Sequence, residues 1–161
     1  MNVNIINKII ITINDKDYEF KHIQDLIPEC ENNHLKVYEH NNSKYSKYQK
    51  NKFGERDYCS FKINYPKNIS GVYLWVVDDK IIYIGETDDL TNRFNAGYGK
   101  ITPYNCNING QATNCKMNGV VLDLFRQNKI ISLYFLKTTE YKEVEKILLE
   151  NITTEYNSKN N

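Results

Sequence analysis

Tyr73 and Tyr83 stand ten residues apart in GVYLWVVDDKIIYIGE, on two apolar runs that flank Asp78-Asp79. Two strands joined there form a hairpin, and its register decides whether the phenols cooperate. A loop of Asp78-Asp79 alone puts them on opposite faces. Including Val77 in the loop sets Tyr73 opposite Tyr83 and Gly71 opposite Gly85, and this odd-length loop is the expected one. Two phenols would then lie over a patch free of side chains, where a sugar-phosphate backbone could approach. Taken alone, tyrosines in such a hairpin are better explained by their preference for strands.

Two further residues add chemistry. Arg93 is three residues past Leu90 in TDDLTNRF, beside the apolar pair Leu90 and Phe94. A guanidinium there has the planar fork that suits the non-bridging oxygens of a phosphodiester, although a lone helical arginine is usually a solvated charge. Glu145 is the sharper case. With Tyr141 at zero and about 100° per residue, Val144, Leu148, Ile152 and Glu145 fall near roughly 300°, 340°, 20° and 40°. Glu145 thus sits within an apolar stripe, whereas Glu143 and Glu150 project to the opposite side. A carboxylate so placed needs a partner, either a divalent cation or a basic side chain.

The elements that must position these residues follow from the pattern of the chain. Gly71 to Val77 and Ile81 to Thr87 read as strands, Asp88 to Ala96 as a helix capped by Thr87 and stopped at Gly97, and Gln111 to Asn128 as containing a second helix. Ile130 to Leu136 reads as a third strand and Glu140 to Tyr156 as a final helix. The expected fold is α+β, a small three-stranded antiparallel sheet flanked by helices in the order β-β-α-α-β-α. Upstream, residues 5 to 20 read as a strand hairpin turning at Asn14 to Asp17, His22 to Ile27 as a helical turn stopped by Pro28, and Leu35 to Tyr38 as a short strand. The expected division is a β-rich N-terminal extension, 1–68, and a main domain, 69–161.

Between Asn41 and Lys67 seven basic residues face Glu55 and Asp57, a local net of +5, and lysines that include Lys44 and Lys47 alternate with Tyr45, Tyr48 and Phe53. Lysines pair with phosphates and aromatic faces stack on bases, so this segment reads either as a nucleic-acid patch or as a solvated loop. The whole chain carries only +1, so any phosphate-binding surface must be local. The four cysteines contain no C-x-x-C pair and the three histidines are distant from them, which argues against structural zinc. No leader-like segment and no run of about 18 apolar residues is present, so no membrane partner, reduced thiols and a cytoplasmic location are the simplest expectations.

Together GVY, YIG, TDDLTNRF and EKILLENITTEYN resemble the GIY-YIG nuclease superfamily, over residues 69 to 157. The resemblance implies a divalent-metal-dependent DNA endonuclease with catalytic Tyr73, Tyr83, Arg93 and Glu145, of which Glu145 would ligate one Mg²⁺ or Mn²⁺. Asn157 matches the asparagine that closes the motif. Gly85, Lys80, Lys100, Lys44 and Lys47 are the further candidates for substrate contact. Tyr73 is favoured as the phenol that positions or deprotonates the attacking water, with Tyr83 orienting it. Val72 replaces the usual isoleucine, the proline common before the final asparagine is absent, and residues 98–128 form a longer insertion than minimal members carry. The expected partner is DNA, cut in a restriction-like or mobile-element setting, with a homodimer as the way to cut two strands. A DNA-binding module without catalysis is the alternative on the same fold.

Overall fold

Three hairpins turn on consecutive Asn or Asp residues, whose short polar side chains tolerate the left-handed backbone better than other non-glycine residues. Asn14-Asp15, Asn32-Asn33 and Asp78-Asp79 all have both φ values between 49° and 62°. The structure is a computed structural model and describes residues 7–39 and 49–157. Lys44, Lys47 and most of the expected basic loop lie outside the described residues.

In chain order the strands are β1 (Lys8–Ile13), β2 (Lys16–Leu26), β3 (Cys30–Glu31), β4 (His34–Leu35), β5 (Val37–Tyr38), β6 (Tyr58–Cys59), β7 (Gly71–Val77), β8 (Lys80–Thr87) and β9 (Ile131–Lys137). The helices are α1 (Leu90–Asn92), which runs on as a π-helical segment Arg93–Tyr98, a 3-10 turn Pro103–Cys106, α2 (Ala112–Arg126) and α3 (Tyr141–Asn151). They form two compact units: the described residues of 1–25, 65–90 and 131–161, and those of 26–64 and 91–130.

The first unit is a curled five-stranded antiparallel sheet in the order β1-β2-β9-β7-β8. This corrects the expectation of a small three-stranded sheet flanked by helices in the order β-β-α-α-β-α. The N-terminal hairpin is part of the sheet, because β2 pairs with β9 and removes what would otherwise be its open edge. β2 also continues through His22 to Leu26, where a helical turn was expected. The reason is long-range pairing: Ser132 on β9 donates to Asp25 at 2.8 Å, and the His22 ring packs edge-on against Tyr134 at 5.2 Å.

Every residue of β7 is buried, as expected of a strand covered on both faces. One face carries Val72, Leu74 and Val76 with Ile84 and Tyr134, and packs against Val144 and Leu148 of α3 and against Ile13, Tyr18 and Phe20. The helix α3 stops at Asn151, five residues before the expected end. The residues after it leave the helix to run beside β8, where Tyr156 N–H donates to Ile82 O at 3.1 Å.

In the second unit β3 pairs with β4, and β5 with β6. Its core includes Tyr58, Ile101, Cys106 and Cys115, with Tyr38 and Phe53 against them. Cys106 and Cys115 are joined in a disulfide, contrary to the expectation of four reduced thiols. The fully buried Asn118 of α2 holds this unit together through its amide: Oδ1 accepts from Cys59 N–H at 3.0 Å, and Nδ2 donates to Cys59 O at 2.8 Å and Tyr98 O at 2.7 Å.

Candidate functional site

The hairpin turns on Asp78-Asp79 alone, so the expected three-residue loop is not formed. Its consequence arises by another route. Val76 pairs with Ile81 but Trp75 pairs with Tyr83, leaving Ile82 as an extra residue in β8, a bulge that shifts the register by one. Beyond it Tyr73 pairs with Gly85 and Gly71 with Thr87. Tyr73 and Tyr83 are therefore diagonal neighbours on one face, with ring centroids 6.4 Å apart. The phenol of Tyr73 lies across Gly85, where any Cβ would overlap it, so the glycine is required by close approach of a ring. Trp75 meets Tyr83 edge-on at 5.7 Å and Phe135 pairs opposite Tyr73. Tyr73 is 1% exposed and Tyr83 9%, so Tyr83 is the more accessible phenol.

Asn157 stands one residue short of this patch. Its Oδ1 accepts from Ile84 N–H at 2.7 Å and its Nδ2 donates to Ile84 O at 2.7 Å, while Thr154 Oγ donates to the same Oδ1 at 2.6 Å. The side chain acts as one more rung on the outer edge of β8 and fixes the strand that carries Tyr83 and Gly85. Its amide is bonded to the backbone of Ile84 on both sides, so it positions the strand.

Glu145 is half-buried on α3. Its carboxyl is held above the usual carboxylate range, first by burial and then by the charge of Glu86. Glu86 follows Gly85, and its side chain lies on the α3 face of the sheet because Tyr73 and Gly85 define the other. The structure thus brings Tyr73, Tyr83 and Gly85 together on one face and Glu145 with Glu86 on the opposite one. Glu86 was missed in the sequence, and its position directly after YIG was the only signal for it. Two hard oxygen donors whose negative charges oppose each other suit a divalent cation, and Mg²⁺ is commonly held by one or two carboxylates with water. Among the described residues no group of three or more His, Cys, Asp or Glu side chains converges.

Arg93 belongs to the second unit. Its guanidinium stacks 4.3 Å from the Tyr98 ring centroid and donates to Tyr98 Oη at 2.9 Å. The expected helix from Asp88 to Ala96 is interrupted there by the switch to π-helical geometry, which puts Tyr98 within reach of Arg93. Lys80 is exposed beside the Asp78-Asp79 turn, and Lys100 is exposed in the second unit, where it bridges Ser60. Comparison with family models, with curated proteins and with solved structures returns no match.

Proposed function

We propose that the chain is a divalent-metal-dependent DNA endonuclease of the GIY-YIG kind, which hydrolyses a phosphodiester without a covalent enzyme intermediate. The observation that carries this reading is the pair of phenols on one face of β7 and β8, with the Tyr73 ring laid on Gly85 and β8 clamped by Asn157. Tyr83, the more accessible phenol, holds the attacking water and takes its proton. A phenol with an ordinary pKa of about 10 needs a nearby cation to do this at neutral pH. Tyr73 orients Tyr83 through the shared face. Arg93, to which the resemblance assigns the charge that develops on the phosphate, has its guanidinium oriented within the second unit by Tyr98. The resemblance assigns a cation such as Mg²⁺ or Mn²⁺ to Glu145, which stands with Glu86 on the face of the sheet opposite the two phenols; bound there, the cation would supply Lewis-acid chemistry. Cutting both strands calls for two such sites, and a homodimer provides them.

Nicking of supercoiled plasmid in Mg²⁺ and in EDTA tests the reading. Activity should require the metal, disappear in Glu145→Ala and fall by roughly 10²- to 10⁴-fold in Tyr83→Phe. Full activity in Glu145→Ala would sink the assignment. The near-complete enclosure of Tyr73 favours a second reading, a DNA-binding module without cleavage. That reading predicts retained DNA binding and no metal-dependent nicking by the unmodified chain.

A further inference from the structure

In the second unit three cations gather around one aromatic ring. Lys52 Nζ lies 4.9 Å from the centroid of Phe53, Arg56 Cζ 6.0 Å and Lys116 Nζ 6.0 Å. Lys116 is 64 positions from Lys52 in the chain, so their meeting is a product of the fold. The turn that carries Lys52 and Phe53 is built for it. Asn51 N–H donates to Cys106 O at 2.8 Å, Phe53 N–H donates to Asn51 Oδ1 at 2.8 Å, and Gly54 N–H closes the turn onto Asn51 O at 2.9 Å. Cys106 is in turn tied by the disulfide to Cys115, the residue before Lys116. From the other side the Arg56 side chain lies against Gly119, one turn further along α2.

Three like charges so close repel one another. Burial, then Lys52, then Arg56 lower the pKa of Lys116, a sign that the surroundings resist its charge. The Phe53 quadrupole attracts each cation and keeps the group assembled. An anion with several regularly spaced charges would relieve the repulsion that remains.

We propose that Lys52, Arg56 and Lys116, gathered on Phe53, form a binding surface for the phosphodiester backbone of DNA. The choice of DNA as the polyanion rests on the nuclease reading; the cluster itself does not. The surface holds phosphates by charge and carries no base-specific information, so it sets affinity and salt dependence and leaves sequence preference alone.

The test measures binding of a fluorescently labelled duplex by anisotropy, in EDTA so that no strand is cut, across a range of salt concentrations. Removing all three charges as K52Q/R56Q/K116Q should lower the slope of log K against log [salt] by up to about 2.7, at about 0.9 per phosphate contact. Because Arg56 packs on α2, K52Q/K116Q serves as the second variant, with an expected drop of about 1.8. Circular dichroism checks that both are folded. A slope unchanged in folded K52Q/K116Q overturns the proposal, as does an unmodified chain that fails to bind the duplex. Polyglutamate that binds through these residues when DNA does not would also overturn it, in favour of an acidic protein partner. Plasmid nicking in Mg²⁺, run alongside, separates the two readings. Lowered slopes without any nicking sustain the DNA surface and defeat the nuclease, whereas nicking with unchanged slopes does the reverse.

Discussion

Replacing Asn157 by alanine removes the last rung on the outer edge of β8. Ile84 is fully buried, and both its N–H and its C=O are satisfied by the Asn157 amide at 2.7 Å. Alanine leaves two main-chain groups without that partner, and an unpaired buried group costs about 1–3 kcal/mol. Asn157 is itself half-buried, so water can reach part of the vacated site. That places both groups towards the low end, for a total of about 2–3 kcal/mol. In a chain of this length each kcal/mol lowers the melting temperature by about 2–4 °C, so the expected drop is roughly 4–12 °C. Urea unfolding should show a lower midpoint with an unchanged slope, and hydrogen exchange at the Ile84 amide should accelerate selectively. Asn157→Asp keeps an acceptor for Ile84 N–H but turns a second oxygen towards Ile84 O. At neutral pH it should be no more stable than the alanine variant. A loss below about 0.5 kcal/mol, the range of ordinary surface changes, would refute the clamp.

Four other outcomes follow from the structure. Of the two free thiols, exposed Cys30 should react with a disulfide reagent in the native protein at pH 8 and buried Cys59 should not, because burial pushes Cys59 from 9.0 to about 12. Since that folded value is raised, the stability contributed by keeping Cys59 neutral is intact below pH 9 and is lost as pH climbs from there towards 12, a trend that Cys59→Ala should lack. Reducing Cys106–Cys115, nine residues apart, reopens a short loop whose closure contributes about 2.6 kcal/mol; the urea midpoint should fall on adding reductant and stay constant in Cys106→Ser. Gly85→Ala would press a methyl group into the Tyr73 ring and should destabilise by about 1–3 kcal/mol in thermal unfolding, with nicking lost more completely than stability.

Asparagine is over-used in this chain, and the structure gives some of it a purpose. Asn157 clamps Ile84, Asn118 clamps Cys59, and Asn95 clamps Ile63 with bonds of 2.8 and 3.0 Å. An asparagine amide carries a donor and an acceptor at nearly the spacing of a peptide group, so it can pair with both backbone groups of a single residue. Nothing in the local sequence distinguishes these three from asparagines in turns, because the partner lies 32 to 73 positions away.

What the sequence determined by itself was local. Asn14-Asp15 and Asp78-Asp79 mark their turns because short polar side chains tolerate left-handed backbone, and the stripe of Val144 and Leu148 marks the buried side of α3 because helical spacing is a property of neighbours. Glu145 beside that stripe was legible for the same reason. Tertiary structure alone decided the rest, since each remaining feature needs residues distant in the chain. The pairing of β2 with β9 made a five-stranded sheet of an expected three. The bulge at Ile82, beside the strand-like segment that follows α3, put Tyr73 and Tyr83 on one face although their turn has two residues. Which face Glu145 shares, and that Glu86 stands near it, depended on the side of the sheet that α3 covers. Periodicity reports which side of an element is buried; only the competition among long-range pairings selects what it is buried against.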